Sequence, residues 1–476
     1  MPRRFHLILL PLLLASAAPA HAQQGLPLSE ILPQLLGNTI VLGPTDLPDQ
    51  PDHEAHFKPG ADQLEVPGQF NRALLTLLST YPVGTPSGGF TYTFDPAVGA
   101  LRRTSESFGP SFADRALTIG RGRLSLGFGY QHASYDTFEG LNLRQREVKF
   151  YVPHVDCCSR GGGTVSEPDG SLLTPAFEGD LVEAALSLDL TTDTAIVFVT
   201  YGVTDRFDLG FAVPFLDVSM NASVLTTVER LSTATEPEIH AFTGQDADTQ
   251  LFSASGNASG LGDIVVRGKY RFVPTEGGGV AAAVDLRVPT GDETNLLGTG
   301  GVQARVYGIA SFTAGRLSPH VNAGYTFSSE GALPGTELRD EVNIAAGFDL
   351  VMSPRATMAF DYVGRTLIDA GRLEEADKEF FYVAGGTGAG GGGGTGGGGG
   401  GGGTGGTPRP PADQVLSVTR RELQLEPGNL QLHFGTATVR FSPWRSLLIT
   451  AGLLFPLTDT GLRDRVTPVI GIDYEF

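Results

Sequence analysis

Beyond about residue 116, hydrophobic and polar residues alternate with a period of two along most of the chain. In "RLSLGFGYQ", Leu124, Leu126, Phe128 and Tyr130 fall on one face, with Arg123, Ser125, Gly127, Gly129 and Gln131 on the other. "DIVVRGKYRF" sets Ile264, Val266, Tyr270 and Phe272 against Arg267, Lys269 and Arg271, and "AAAVDLRVP" sets Val284, Leu286 and Val288 against Asp285 and Arg287. The same rule orders "PHVNAGYTF", "EVNIAAGFDL" and the closing "TPVIGIDYEF", where Pro468, Ile470, Ile472, Tyr474 and Phe476 share a face. A period of two marks strands with two unlike faces, so an all-β fold is expected.

Alternation alone fits a soluble sandwich as well as a membrane barrel. The connections separate the two. "SPWRS", "SPRAT", "TAGR", "PTEGGG" and "VTDRF" are short turns. Between them come long loops: "LTDTGLRDR", residues 372–428, "SSEGALPGTELRD", "PTGDETNLLGTG" and the stretch from about Leu225 to Gly260. Short and long connections in alternation are expected of an antiparallel outer-membrane barrel over residues 116–476, with the short turns in the periplasm. In "VEAALSLDLTTDTAIVFVTYGV", Ala184, Leu186, Leu188 and Leu190 stay in phase with Ile196 and Phe198, which predicts one long strand rising above the membrane, its apolar set on the lipid face. The count is then about twelve; fourteen is the alternative if "LRQREVKFYV" forms a further wall strand.

The N-terminus bears on location. Arg3 and Arg4, an apolar run from Leu7 to Ala18 and the Ala20-His21-Ala22 site predict a cleaved signal peptide over residues 1–22. Residues 23–115 alternate poorly. Leu74, Leu75, Leu77 and Leu78 predict a short helix, and Tyr92 and Phe94 a brief strand. This region is too poor in core residues to fold alone and is expected to plug the lumen, the alternative being a small periplasmic piece. The glycine tract within residues 372–428 is expected to be a flexible extracellular loop.

A formal net charge of -19 argues against nucleic acid as a partner. With the apolar faces toward lipid, charges of both signs face inward: Arg121, Arg123, Asp189, Arg206, Asp208, Arg267, Lys269, Arg271, Asp285, Arg287, Arg305, His320, Glu341, Asp349, Asp361, Arg365, Asp473 and Glu475. A dry core would not accept so many charges, whereas a wet or hydrogen-bonded lumen does. They either line an aqueous path or pair across strands around the plug. No catalytic residue, metal or cofactor is expected. "HEAHF" spaces His53 and His56 three apart, where the zinc-protease helix needs four. Adjacent Cys157 and Cys158 cannot form an ordinary disulfide with each other.

Three stretches, "YGVTDRFDLGFAVPF", "GLGDIVVRGKYRF" and "LRVPTGDETNLLGTG", resemble the outer-membrane barrel proteins of the meta-pathway phenol degradation, or transporter, family. Plugged fatty-acid and toluene transporters are a looser comparison. The resemblance implies passive passage of small aromatic or otherwise hydrophobic molecules. The alternatives are a structural or surface-interaction barrel and, further off, a barrel hydrolase. The expected partners are outer-membrane lipid, a small solute and the barrel-assembly machinery, which would read Tyr474 and Phe476 as its C-terminal signal.

Overall fold

The computed structural model describes residues 26–36, 40–43, 56–57, 61–82, 84, 89–95, 100–154, 165–166, 172–173, 179–234, 239–243, 248–275, 277–331, 338–383, 415–444 and 446–476. The expected signal peptide, the cysteine pair and the glycine tract lie outside them. Among the described residues no helix is long and apolar enough to cross a membrane.

Twelve strands close an antiparallel barrel: β1 (Leu124–Phe138), β2 (Leu181–Gly202), β3 (Phe207–Glu229), β4 (Ile264–Thr275), β5 (Gly278–Val288), β6 (Gln303–Ser311), β7 (Leu317–Ser328), β8 (Glu341–Ser353), β9 (Ala356–Leu367), β10 (Leu430–Trp444), β11 (Leu447–Pro456) and β12 (Thr467–Glu475). Closure comes from β12 returning to β1, from Val469 opposite Gln131 to Glu475 opposite Ser125. The last residue takes part, since Phe476 N–H donates to the Leu124 carbonyl at 2.9 Å. A closed ladder leaves no wall strand with a free edge, which a hydrocarbon surround demands.

Outside, the apolar positions form a belt. Leu453, Val321 and Ile470 are 47, 46 and 54% exposed, far from the burial such residues take in a water-soluble fold. Aromatic side chains mark its two edges. At the upper edge the hydroxyls of Tyr130, Tyr325 and Tyr362 bond to Asp193, Asp340 and His433. At the lower edge Tyr474 packs on Phe476 with ring centroids 4.7 Å apart, Tyr270 on Phe272 at 5.0 Å, and Trp444 is 71% exposed. This is an outer-membrane barrel, with its short turns and both ends of the wall on the periplasmic side.

The long strands correct one expectation. β2 is a single strand, but Leu186, Leu188, Leu190, Ile196 and Phe198 point inward and are buried, while Asp189 points outward and is exposed. On the outer face of β2, Asp189, Thr191 and Asp193 give way to Val197, Val199 and Tyr201 toward the periplasm. β3 repeats the change, from Asn221, Ser219 and Asp217 outside to Phe215 and Phe211, while Val224, Met220 and Val218 inside give way to Asp208. The phase is continuous and the polarity inverts at the membrane boundary. Above it water lies outside, so the apolar set turns inward to pack a cap.

The fourteen-strand alternative falls there, and two further expectations change. Val148–Pro153, from "LRQREVKFYV", pairs only with the upper end of β2, so it adds no wall strand. The supposed loop from Leu225 to Gly260 holds the top of β3 and a strand, Thr249–Leu261, laid against it. The 372–428 region begins and ends as a hairpin of Arg372–Val383 with Val415–Glu426.

Inside the cap lie α1 (Leu28–Leu36) and α2 (Ala61–Ser79). Leu28, Ile31, Leu32 and Leu36 give α1 one apolar stripe, and Phe70, Leu74, Leu77 and Leu78 give α2 another. Both pack into a core with Leu186, Leu188, Leu190, Met220 and Val224. Burying each such side chain contributes on the order of 1.5–3 kcal/mol. Pro33 inside α1 has no N–H for the Ser29 carbonyl, and Asn71 of α2 supplies the missing donor at 2.9 Å.

Candidate functional site

From the cap the chain descends to the periplasmic mouth, where Tyr92–Asp95 pairs with Ala100–Arg103. Residues 105–120 then cross the periplasmic half of the lumen as an irregular segment with bends at 106–107, 111–113 and 116 before β1 begins, nearly all of them buried. Their backbone polar groups are satisfied by the wall. Arg440 donates to the carbonyls of Phe108, Gly109 and Pro110 at 2.7, 3.3 and 3.0 Å. Lys269 donates to those of Leu117 at 2.8 Å and Arg115 at 3.4 Å. The N–H groups of Phe108, Asp114, Ala116 and Ile119 find Thr357, Asn322, Ser311 and Asp208. A backbone with no strand partner is buried here because side chains from wall strands around the lumen take its place.

Most of the inward charges expected from the sequence meet in this arrangement. Arg267 reaches Asp114 of the crossing segment at 3.1 Å and Asp285 at 2.6 Å; Arg305 shares Asp285, and Tyr307 donates to Asp114 at 2.8 Å. His320 contacts Asp361 at 2.8 Å, and Ser107 donates to Asp349 at 2.9 Å. Arg365 pairs with Glu341 at 2.5 Å and donates to the Thr80 carbonyl at 2.5 Å. Arg123 pairs with Glu475 at 3.3 Å. Arg271 donates to Thr275 and Gly278, bracing the β4–β5 turn. Arg121 and Arg206 stand apart from the lumen: both are exposed in periplasmic turns, because each falls beyond the end of its strand.

Two cavities lie above the crossing segment. The upper one, of about 250 Å³, sits in the cap between α2 and the hairpin base. Leu77, Phe138, Leu367, Leu373, Leu425 and Leu430 give it apolar walls, with Arg72, Glu139 and Arg339 also lining it. Burial pushes the Glu139 carboxyl above its ordinary value, more than the Gly461 N–H and nearby arginines hold it down. The lower one, of about 170 Å³, is in the lumen, bounded above by Thr80 and Tyr81 and below by Phe112 and Asp114. Its wall includes Arg267, Asp285, Arg287, Arg305, Glu341 and Arg365. The end of α2 separates the two, since Leu77 lines one and Tyr81, about one turn further on, lines the other. Tyr81 is held by a 2.9 Å bond to Thr467 and by edge contacts with Tyr135 and Phe434.

The sequence reading missed Arg440, Asp114, Tyr307 and Tyr81. Arg440 carried a signal, being the one charge within the alternating "TATVRFSP". Asp114 carried none, because its segment has no period. His56 of "HEAHF" packs against His154 with centroids 4.9 Å apart, and His154 against His240 at 4.9 Å. Among the described residues no group of three or more side chains could hold a metal ion.

No curated protein matches the chain. Solved structures that align with it include a Pseudomonas aeruginosa FadL homologue, at 11% identity over 96% of this chain and 98% of that one, with a TM-score of 0.28. The P. putida toluene transporter TodX aligns at 11% identity over 74% and 89%, TM-score 0.30. The translocator domain of the Neisseria meningitidis autotransporter NalP aligns at 9% over 75% and 89%, TM-score 0.29. Values this low carry no argument about ligand or mechanism, and the barrel rests on its own strand pairings. Residues 163–360, which take in β2 to β8 and the start of β9, match the profile of the family described as "Putative MetA-pathway of phenol degradation", and this is the family the chain resembles.

Proposed function

We propose that the chain is a passive outer-membrane channel for small hydrophobic molecules, aromatic ones among them, plugged by its own N-terminal region. The observation that carries this is the vertical order of parts: a cavity in the cap lined by leucines and charged side chains, a second cavity in the lumen, and below them a crossing segment held by side-chain hydrogen bonds. Solute is received in the cap, passes Tyr81, and leaves when residues 105–120 yield. Those residues have no strand ladder to break, only contacts from the wall, which suits a plug that moves inside a wall that does not.

Outer-membrane lipid surrounds the belt. The barrel-assembly machinery recognises the outward Tyr474 and Phe476 at the closing strand. The family resemblance agrees with this cargo class.

The test is solute influx into proteoliposomes bearing the full chain or the chain lacking residues 23–114. Slow influx through the first and faster influx through the second are expected. No influx through either, for any small solute, sinks the reading.

A further inference from the structure

Arg463 is a buried cation that its surroundings do not satisfy. It is 2% exposed and belongs to the short strand Leu462–Asp464, which pairs with the top of β1. Nη2 donates to the Thr458 hydroxyl at 3.1 Å, and the guanidinium carbon lies 4.6 Å from the centre of the Phe434 ring. Nε and Nη1 are buried with no hydrogen-bond partner. Among the described residues no carboxylate pairs with it; burial pushes the guanidinium down to about 10, while Glu139 and Asp459 act on it from further off. Other inward arginines fare differently, since Arg267 and Arg365 meet carboxylates and Arg440 meets three carbonyls. A charged donor left unmet in the interior costs more than an ordinary bond returns, so the closed cap carries a destabilised point here.

That point adjoins the passage between the two cavities. Phe434 is shared: Arg463 lies over its ring, and Tyr81 meets it edge-on with centroids 5.7 Å apart. The Tyr81 hydroxyl and the Arg463 charge act on one another. Tyr81 itself is kept in place by one bond to Thr467 and by ring edges against Tyr135 and Phe434. When Tyr81 swings away from Phe434, water and solute oxygens enter beside the guanidinium. The donors that lack acceptors in the closed arrangement then find them.

We propose that Arg463 is a positioning residue that sets how readily the passage at Tyr81 opens. The closed arrangement leaves its charge unmet and the open one solvates it, so Arg463 works against the latch that Tyr81 forms with Thr467, Tyr135 and Phe434. An apolar side chain of similar length in its place removes the penalty and closes the passage more firmly. A bracing role predicts the opposite sign, because losing a brace loosens what it holds. The proposal rests on the transport reading, in which solute passes Tyr81, and names the residue that tunes that step.

The experiment is hydrogen exchange of the detergent-solubilised full chain, read by mass spectrometry at the N–H groups of Thr80 and Tyr81. These donate to the Thr76 and Leu78 carbonyls at 3.1 and 3.3 Å and so report local opening at the end of α2. Arg463→Met should slow their exchange at least tenfold and raise the urea midpoint of the folded form. Arg463→Lys, which keeps the charge, should stay within about threefold of the wild type. Thr458→Val removes the one acceptor Arg463 has and leaves the charge in place; it should speed the exchange at least threefold. Faster or unchanged exchange in Arg463→Met overturns the proposal. So does Thr458→Val exchanging no faster than the wild type, which decides the matter even if the methionine variant does not fold. Solute influx absent from every variant, with the exchange still in the expected order, would sink the transport reading and leave the opening at Tyr81 standing.

Discussion

Arg440 ties the wall to three carbonyls of the plug, and replacing it isolates what these bonds contribute to holding the lumen shut. One of its terminal nitrogens faces three carbonyls of the crossing segment, at 2.7, 3.0 and 3.3 Å. That nitrogen carries two hydrogens, so at most two full bonds are made at once. Hydrogen bonds involving a charged group are each worth about 1.5–3 kcal/mol. The upper bound is therefore about 6 kcal/mol, and water entering the freed space recovers part of it. We expect a net loss of about 2–3 kcal/mol from the closed state.

Arg440→Gln should be combined with Asp473→Asn, because Arg440 also contacts Asp473 at 3.3 Å and a stranded carboxylate would confuse the result. A loss of 2–3 kcal/mol raises the open-to-closed ratio roughly 30- to 140-fold. The assay is single-channel recording in planar bilayers, with heat-modifiable gel mobility confirming a folded barrel. An unchanged open probability in a folded double variant refutes the claim that these bonds keep the plug in place.

Three more outcomes follow from the same structure. Burial pushes the Asp180 carboxyl up, but donors from His240, Thr233 and the Ser232 backbone outweigh it and hold it below its ordinary value, so its contribution is present above the unfolded carboxyl range near pH 4 and is lost only as pH falls through the lower folded value. Limited proteolysis of the cap should therefore be flat from pH 8 to 5 and rise below about 4, whereas Asp180→Asn should be cleaved readily at pH 7. Gly202→Ala places a methyl group 1.8 Å from the Gly120 carbonyl, a backbone atom that cannot turn aside, so the heat-resistant folded form should lose at least the roughly 1–3 kcal/mol typical of overpacking in urea titrations. Deleting Phe476 removes its bond to Leu124 and one ring of the lower girdle, and should lower the amount inserted in cells while the inserted fraction keeps wild-type conductance.

The wall was legible because a strand in a two-sided environment writes its environment into every second residue. Turns such as "TAGR" and "SPRAT" then fixed the count. Alternation says that two faces differ without saying which faces inward, and so β2 was read in the right phase with the wrong orientation. The switch from Asp189, Thr191 and Asp193 to Val197, Val199 and Tyr201 on one face was in the sequence, and it is the mark of a strand that leaves the membrane.

The candidate site was half legible. Arg267, Asp285, Arg305 and Arg365 stood out as charges on otherwise apolar strands. Their partners did not, because Asp114 and the carbonyls of residues 108–110 belong to a segment whose conformation comes from distant side chains. α1 was missed for a related reason. Its nine residues include Pro33, and it is a helix because Asn71 and the cap core make it one.

The central claim is that solute passes through the lumen and that residues 105–120 must move to let it through. Ser111 and Thr438, one on the segment and one on β10, have hydroxyl oxygens 3.4 Å apart. Replacing both with cysteine, in a chain whose Cys157 and Cys158 are serine, allows the segment to be tied to the wall and released at will. Influx into proteoliposomes should fall to the protein-free baseline under oxidising conditions and return on reduction. Equal influx in the two states, with the disulfide confirmed by mass spectrometry, would contradict the account.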